Sequence, residues 1–245
     1  PDACPGITGN TFIAYTAHQA KDKIGIWNIH IYPYPEDIRS GAYENLIRQW
    51  HGILGKDKKL VLGEVGMKYK AGTAEYSENI RRAVEDPMGK SDTEGGSNMF
   101  VYDFSYGIDI ADLYIQCMRG GISGGCSWMV CDAMNTSPGQ KMKRWGMWNI
   151  FGTEMGYPED ENIRPWFYSL SLMSRYFPEG CKIMDVSESG MDGIRAVAGT
   201  MDGRLTIAVV NNSGTDRKIS LTVDDDLGVS PERMTLYHFY ENDRP

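Results

Sequence analysis

The chain has 245 residues, of which 41% are hydrophobic and 11% aromatic, which is enough apolar material for a sizeable core and excludes an intrinsically disordered segment. A formal net charge of -8 and a pI near 5.1 argue against nucleic acid or an anionic membrane as partner, since both reward a basic surface. No apolar run reaches the ~20 residues of a membrane span, and the five cysteines are too few and odd in number for a disulfide framework.

Thr11 to Lys23 reads as one helix, and Ile24 to Tyr32 as a strand stopped by Pro33 and Pro35. His30 and Tyr32 are two apart and share a face of that strand. Ala42 to Leu54 is helical, with Leu46, Ile47, Trp50 and Leu54 as its apolar stripe. The next strand ends in Gly63-Glu64-Val65-Gly66. Residues 67 to 103 form a polar insertion with one short helix, Ala74 to Val84. Phe104 to Arg119 is the following helix, ended by Gly120-Gly121. Ile122 to Cys131 gives a third strand with Asp132 just past its end, and on such a strand Cys126 and Cys131 point to opposite faces, which argues against a shared metal. After a loop carrying Trp145 and Trp148, Ile163 to Phe177 reads as a last amphipathic helix.

From there the period changes to two. Cys181 to Ser187, Ile194 to Gly199, Arg204 to Asn211, Lys218 to Val223 and Met234 to Tyr240 predict five short strands of an antiparallel sandwich. The fold class is therefore α/β over residues 1–177, followed by a small all-β domain over 178–245. Alternating strands and helices predict a parallel sheet with right-handed crossovers. Three such strands leave both edges unpaired, so the expectation is that further chain, preceding these residues, completes the sheet.

The chemistry concentrates at Glu64. Lys59 to Gly66 has the pattern of a short strand buried on both faces, and an ionised carboxylate in such a place costs several kcal/mol unless it is paired, on a rough scale. Either Glu64 caps loop amides or it is a reacting group. Six Trp and fourteen Tyr supply flat faces with polar edges, suited to sugar rings. Near it in the predicted order stand Tyr32 and His30; His30 taken alone is a satisfied core histidine, Trp128 a core residue of its strand, Asp132 a cap on the following loop, and Tyr34 and Trp145 loop aromatics. No Gly-x-Ser-x-Gly, His-Glu-x-x-His or Walker pattern is present, Asp224-Asp225-Asp226 lacks calcium-loop spacing, and neither a metal nor an organic cofactor is expected.

Three successive strands ending in His-x-Tyr, Gly-Glu-x-Gly and Ser-Trp, then Arg164 to Leu170 and Ser174 to Gly180, resemble the second half of a clan A retaining glycoside hydrolase of families thirty and thirty-nine. The resemblance implies strands six to eight of a (β/α)8 TIM barrel followed by a β-sandwich. It implies Glu64 as catalytic nucleophile, with Tyr32 as the donor to it and His30 as a donor to it or to a sugar hydroxyl. It implies Trp128 as a sugar platform, Asp132 as a ligand for a sugar hydroxyl unless it caps the loop, and Tyr34, Trp145 and Trp148 as outer subsites, all substrate-binding. The acid/base glutamate of that family lies on strand four, to which no part of these residues corresponds. A carbohydrate substrate, the missing N-terminal half of the barrel as partner, and a secreted, periplasmic or cell-surface location follow from the same resemblance. The rival reading is a non-catalytic carbohydrate-binding barrel.

Overall fold

Strand propensity, helical period and glycine punctuation come together in a computed structural model that describes residues 7–86, 96–132, 142–224 and 233–242. Helix α1 (Ile7–Ala20) runs on as a 3-10 turn, Lys21–Lys23, and leads to β1 (Ile26–Ile31). Pro35 opens the short α2 (Pro35–Arg39), where its fixed φ and missing N–H cost nothing. Then follow α3 (Ala42–Leu54) and β2 (Lys59–Val65). Helix α4 (Ala74–Glu85) is capped by the Thr73 hydroxyl, which accepts from Tyr76 N at 3.2 Å. Helix α5 (Phe104–Gly120) ends where Gly121 turns left-handed at φ 101°, and β3 (Gly124–Ser127) and α6 (Pro165–Tyr176) complete the first part.

The three strands pair in parallel in the order β1-β2-β3. One face of this sheet is covered. Trp27, Ile29, Ile31, Leu60, Leu62 and Val65 point into a core shared with Ile47 and Trp50 of α3, Ile110 and Leu113 of α5 and Trp166 of α6. The other face is open, with Ile26 57% exposed and Asn28 exposed beside it. The expectation that the Glu64 strand is buried on both faces is corrected here: Val61, Gly63 and Glu64 are only half-buried, because the helices lie on one side alone.

The antiparallel part is smaller than the sequence predicts. Strands β4 (Lys182–Met184), β5 (Ile194–Met201) and β6 (Arg204–Asn211) form one three-stranded sheet in that order. The β5–β6 hairpin turns at Asp202-Gly203, with φ 51° and 73°, the left-handed pair that a two-residue turn of this hand requires. Val197 and Val210 pack with Ile115 of α5, joined by Met173 and Phe177. Lys218 to Val223 carries no strand, and Met234 to Tyr240 carries only a bridge at Tyr240, so among the described residues there is a sheet and no sandwich. The third parallel strand also stops short of Cys131, which forms an isolated bridge with Trp148. Residues 87–95 of the polar insertion and 133–141 after Asp132 lie outside the described residues. No helix among the described residues is long and apolar enough to cross a membrane.

Candidate functional site

An irregularity in the parallel ladder decides where Glu64 points. Ile29 pairs with Leu62 but His30 pairs with Glu64, so Gly63 is one residue too many on β2. Side chains alternate along a strand, and a regular β2 would put Glu64 on the covered face with Leu60 and Leu62. The bulge reverses that parity and turns Glu64 to the open face beside His30. As the structure stands, a Cβ on residue 63 would lie 2.2 Å from Asn28 Oδ1, so any larger residue there requires the exposed Asn28 carboxamide to turn aside.

On that face the carboxylate is held from β1. The Tyr32 hydroxyl donates to Glu64 Oε2 at 2.5 Å, and His30 Nδ1 stands 3.5 Å from the same oxygen. The Glu64 side chain is 28% exposed, and among the described residues no donor engages Oε1. Gly66, just past β2, lets strand ends close up, since a Cβ there would stand 3.0 Å from the Tyr32 ring and 3.3 Å from the Trp128 carbonyl oxygen. Trp128 N donates to Val65 O at 2.8 Å, which puts this half-buried tryptophan at the same end of the sheet; the peptide bond after it is cis. The structure thus brings Glu64, Tyr32, His30 and Trp128 together at the carboxyl ends of three adjacent parallel strands.

Two of the predicted substrate ligands lie elsewhere in role. Asp132 is 0% exposed. Its Oδ1 accepts from Trp145 N at 2.8 Å and Gly146 N at 2.6 Å, and its Oδ2 from Arg164 Nη2 at 2.5 Å with Arg144 Nη1 at 3.4 Å. A carboxylate so occupied inside the fold has no lone pair to offer a sugar, and the loop-capping alternative describes it. Trp145 is 7% exposed and its indole N–H donates to Gly96 O at 2.5 Å; it lies behind Tyr32 and is not an outer subsite. Tyr34 is half-buried at the start of α2, where its carbonyl accepts from Asp37 N at 3.0 Å and Ile38 N at 3.3 Å.

Sequence reasoning missed Lys68, whose ammonium sits 4.4 Å from the centroid of the Tyr32 ring, close enough for cation–π attraction. It also missed the bulge. Gly63 flanked by Leu62 and Glu64 was its only local sign, as an isolated glycine in a strand pattern. Among the described residues no cluster of three His, Cys, Asp or Glu side chains has the arrangement of a metal site.

No family model matches the sequence, and no curated protein does. Among solved structures, a glycoside hydrolase family 30 subfamily 8 xylanase, Xyn30A, from Clostridium acetobutylicum aligns with 85% of this chain and 58% of its own, at 11% identity and a TM-score of 0.35. A GH30 endoxylanase from Clostridium papyrosolvens C71 aligns with 82% of this chain and 55% of its own, at 12% identity and a TM-score of 0.32. The chain therefore spans a little over half the length of either structure.

Proposed function

We propose that this chain carries the nucleophile side of a retaining glycosidase site that cleaves O-glycosidic bonds of a poly- or oligosaccharide, with Glu64 attacking the anomeric carbon. One observation carries the reading: a carboxylate turned by a bulge to an open face, with one oxygen held by a phenol at 2.5 Å. Holding Oε2 leaves Oε1 as the attacking atom. Tyr32 keeps the carboxylate aimed, and His30 lies within reach of the same oxygen or of a sugar hydroxyl. Trp128 offers a ring on which the sugar stacks.

In this reading β1, β2 and β3 are strands six to eight of a (β/α)8 barrel, residues 1–177 are its catalytic part and 178–245 an accessory β domain. The open face of the sheet is the barrel interior. The acid/base glutamate comes from chain outside these residues and stands ~5–5.5 Å from Glu64, the separation that double displacement requires. The substrate reaches the site outside the cell. A two-step displacement esterifies the nucleophile, so a fluorinated mechanism-based glycoside slows the second step and leaves the ester trapped. In the protein with its barrel complete, the label adds one sugar mass to the peptide holding Leu60 to Lys68. Glu64→Gln abolishes labelling and lowers turnover by several orders of magnitude, on the scale of losing a nucleophile elsewhere. Labelling of another peptide overturns the assignment, and sugar binding with no turnover in the same protein favours the non-catalytic binding barrel.

A further inference from the structure

Tyr32 reaches Glu64 from the end of β1, one residue beyond the last strand position, so the ladder alone does not fix its ring. Among the described residues, three neighbours stand against it. Gly66 lies against one edge, where a Cβ would stand 3.0 Å from Cε1 and 3.2 Å from Cδ1. Lys68 Nζ lies over the ring face at 4.4 Å from the centroid. Trp145 meets the ring edge-on, with centroids 5.8 Å apart and planes at 84°, the T-shaped geometry that aromatic pairs favour.

Of the three, Trp145 is the one that cannot yield. Its indole is buried, its ring N–H is spent on Gly96 O, and its backbone N–H is spent on Asp132 Oδ1 at 2.8 Å. Asp132 is in turn held by Arg144 and Arg164 within the interior.

We infer that Trp145 is a positioning residue for the reaction at Glu64: wedged between the buried ionic cluster and the Tyr32 ring, it holds the phenol hydroxyl on the carboxylate and does not itself contact sugar. The inference rests on Glu64 being the reacting carboxylate, but its first test reads a distance and not a rate, so the two fail separately. Trp145→Ala opens a space beside the ring, and the Tyr32 Oη to Glu64 Oε2 separation in its crystal structure lengthens from 2.5 Å to beyond the ~3.0 Å limit of a good O–H···O hydrogen bond. Trp145→Phe, which keeps a ring edge there, restores it. Kinetically, Trp145→Ala lowers kcat about 10- to 100-fold with KM within about threefold, as befits an interaction made in the transition state. The double variant with Tyr32→Phe is no slower than Tyr32→Phe alone, because a wedge has nothing to position once the hydroxyl is gone. Should the alanine variant fail to fold, Trp145→Leu keeps an apolar side chain but loses the ring edge, and a smaller lengthening of the same separation is expected. An unchanged separation in Trp145→Ala, or in Trp145→Leu where that variant stands in for it, overturns the inference. So does a raised KM with additive losses, the pattern of a sugar subsite.

Discussion

At the scale of single residues, the short Tyr32 to Glu64 bond is the contact on which the proposed chemistry most depends. A preorganised donor that holds one carboxylate oxygen keeps the other aimed, and it is already in place when charge moves. Tyr32→Phe removes the O–H and keeps the ring against Trp145 and Lys68, so the variant isolates the hydrogen bond from the packing. We expect turnover of an aryl glycoside to fall roughly 10²- to 10³-fold, the usual scale for one such donor, while the melting temperature moves little. A large drop in melting temperature with normal turnover would reassign Tyr32 to the core. Asn28 shows the opposite case. Its carboxamide overlies Gly63, but it is exposed on the open face, and a flexible side-chain end there can swing away from an added methyl.

At the scale of elements, glycines separate close approach from mere turning. A Cβ on Gly120 would stand 2.8 Å from Ile47 Cβ and 3.2 Å from Glu44 O, atoms of α3 that have no free rotation to absorb it. The end of α5 therefore packs backbone-close on α3. Gly120→Ala is expected to destabilise the protein by about 1–2 kcal/mol: overpacking costs roughly 1–3, against at most about 1 regained from helix propensity. Urea denaturation with an unchanged slope would check it, and a stabilised variant would refute the close contact. The elements themselves were largely legible in the sequence, because α3, α4, α5 and β2 announce themselves by local pattern and, for α5, by the Gly120-Gly121 pair that ends it. Glu64, Tyr32 and His30 were legible as neighbours for the same reason. What was not legible depends on partners far along the chain. The bulge exists only in the pairing of Gly63 with β1, and the burial of Asp132 exists only through Arg144 and Arg164. Lys218 to Val223 and Met234 to Tyr240 alternate as strands do, but a strand needs a ladder, and local alternation cannot supply the neighbour.

At the scale of the whole molecule, ionic clusters tie distant segments together, and two of them among the described residues bear on the sheet and the site. Outside the parallel sheet, Arg195 of β5 donates to Asp112 of α5 at 2.6 Å, Asn212 reaches Asp109 at 2.8 Å, and Arg39 forks onto Asp109 at 2.9 and 2.7 Å. These contacts fasten the antiparallel sheet to α5 and leave it little freedom as an independent module. The other cluster lies behind Trp145 and joins Asp86, Asp132, Arg144, Asp160 and Arg164. Asp160 is its most exacting member: it accepts from Tyr102 Oη at 2.6 Å, Arg144 Nη1 at 2.6 Å and Asn149 Nδ2 at 3.0 Å. Burial opposes its ionisation, yet the Tyr102 hydroxyl and the two guanidinium groups outweigh burial and hold its carboxyl below the usual carboxylate range. A depressed value means that the folded state binds this proton less readily than the unfolded chain. The stability it contributes is therefore fully present above the unfolded pKa of ~3.9 and is lost as pH falls through the lower folded value. Asp160→Asn should cost roughly 3 kcal/mol at neutral pH, the low end for breaking a buried ion pair, because Arg144 keeps Asp86 and Asp132. Guanidinium unfolding of both proteins from pH 7 to pH 2 should show that difference constant down to about pH 4 and shrinking below it. A difference that grew on acidification would mean that Asp160 is protonated in the native fold, and the cluster would then carry one more positive charge than the hydrogen-bond pattern describes.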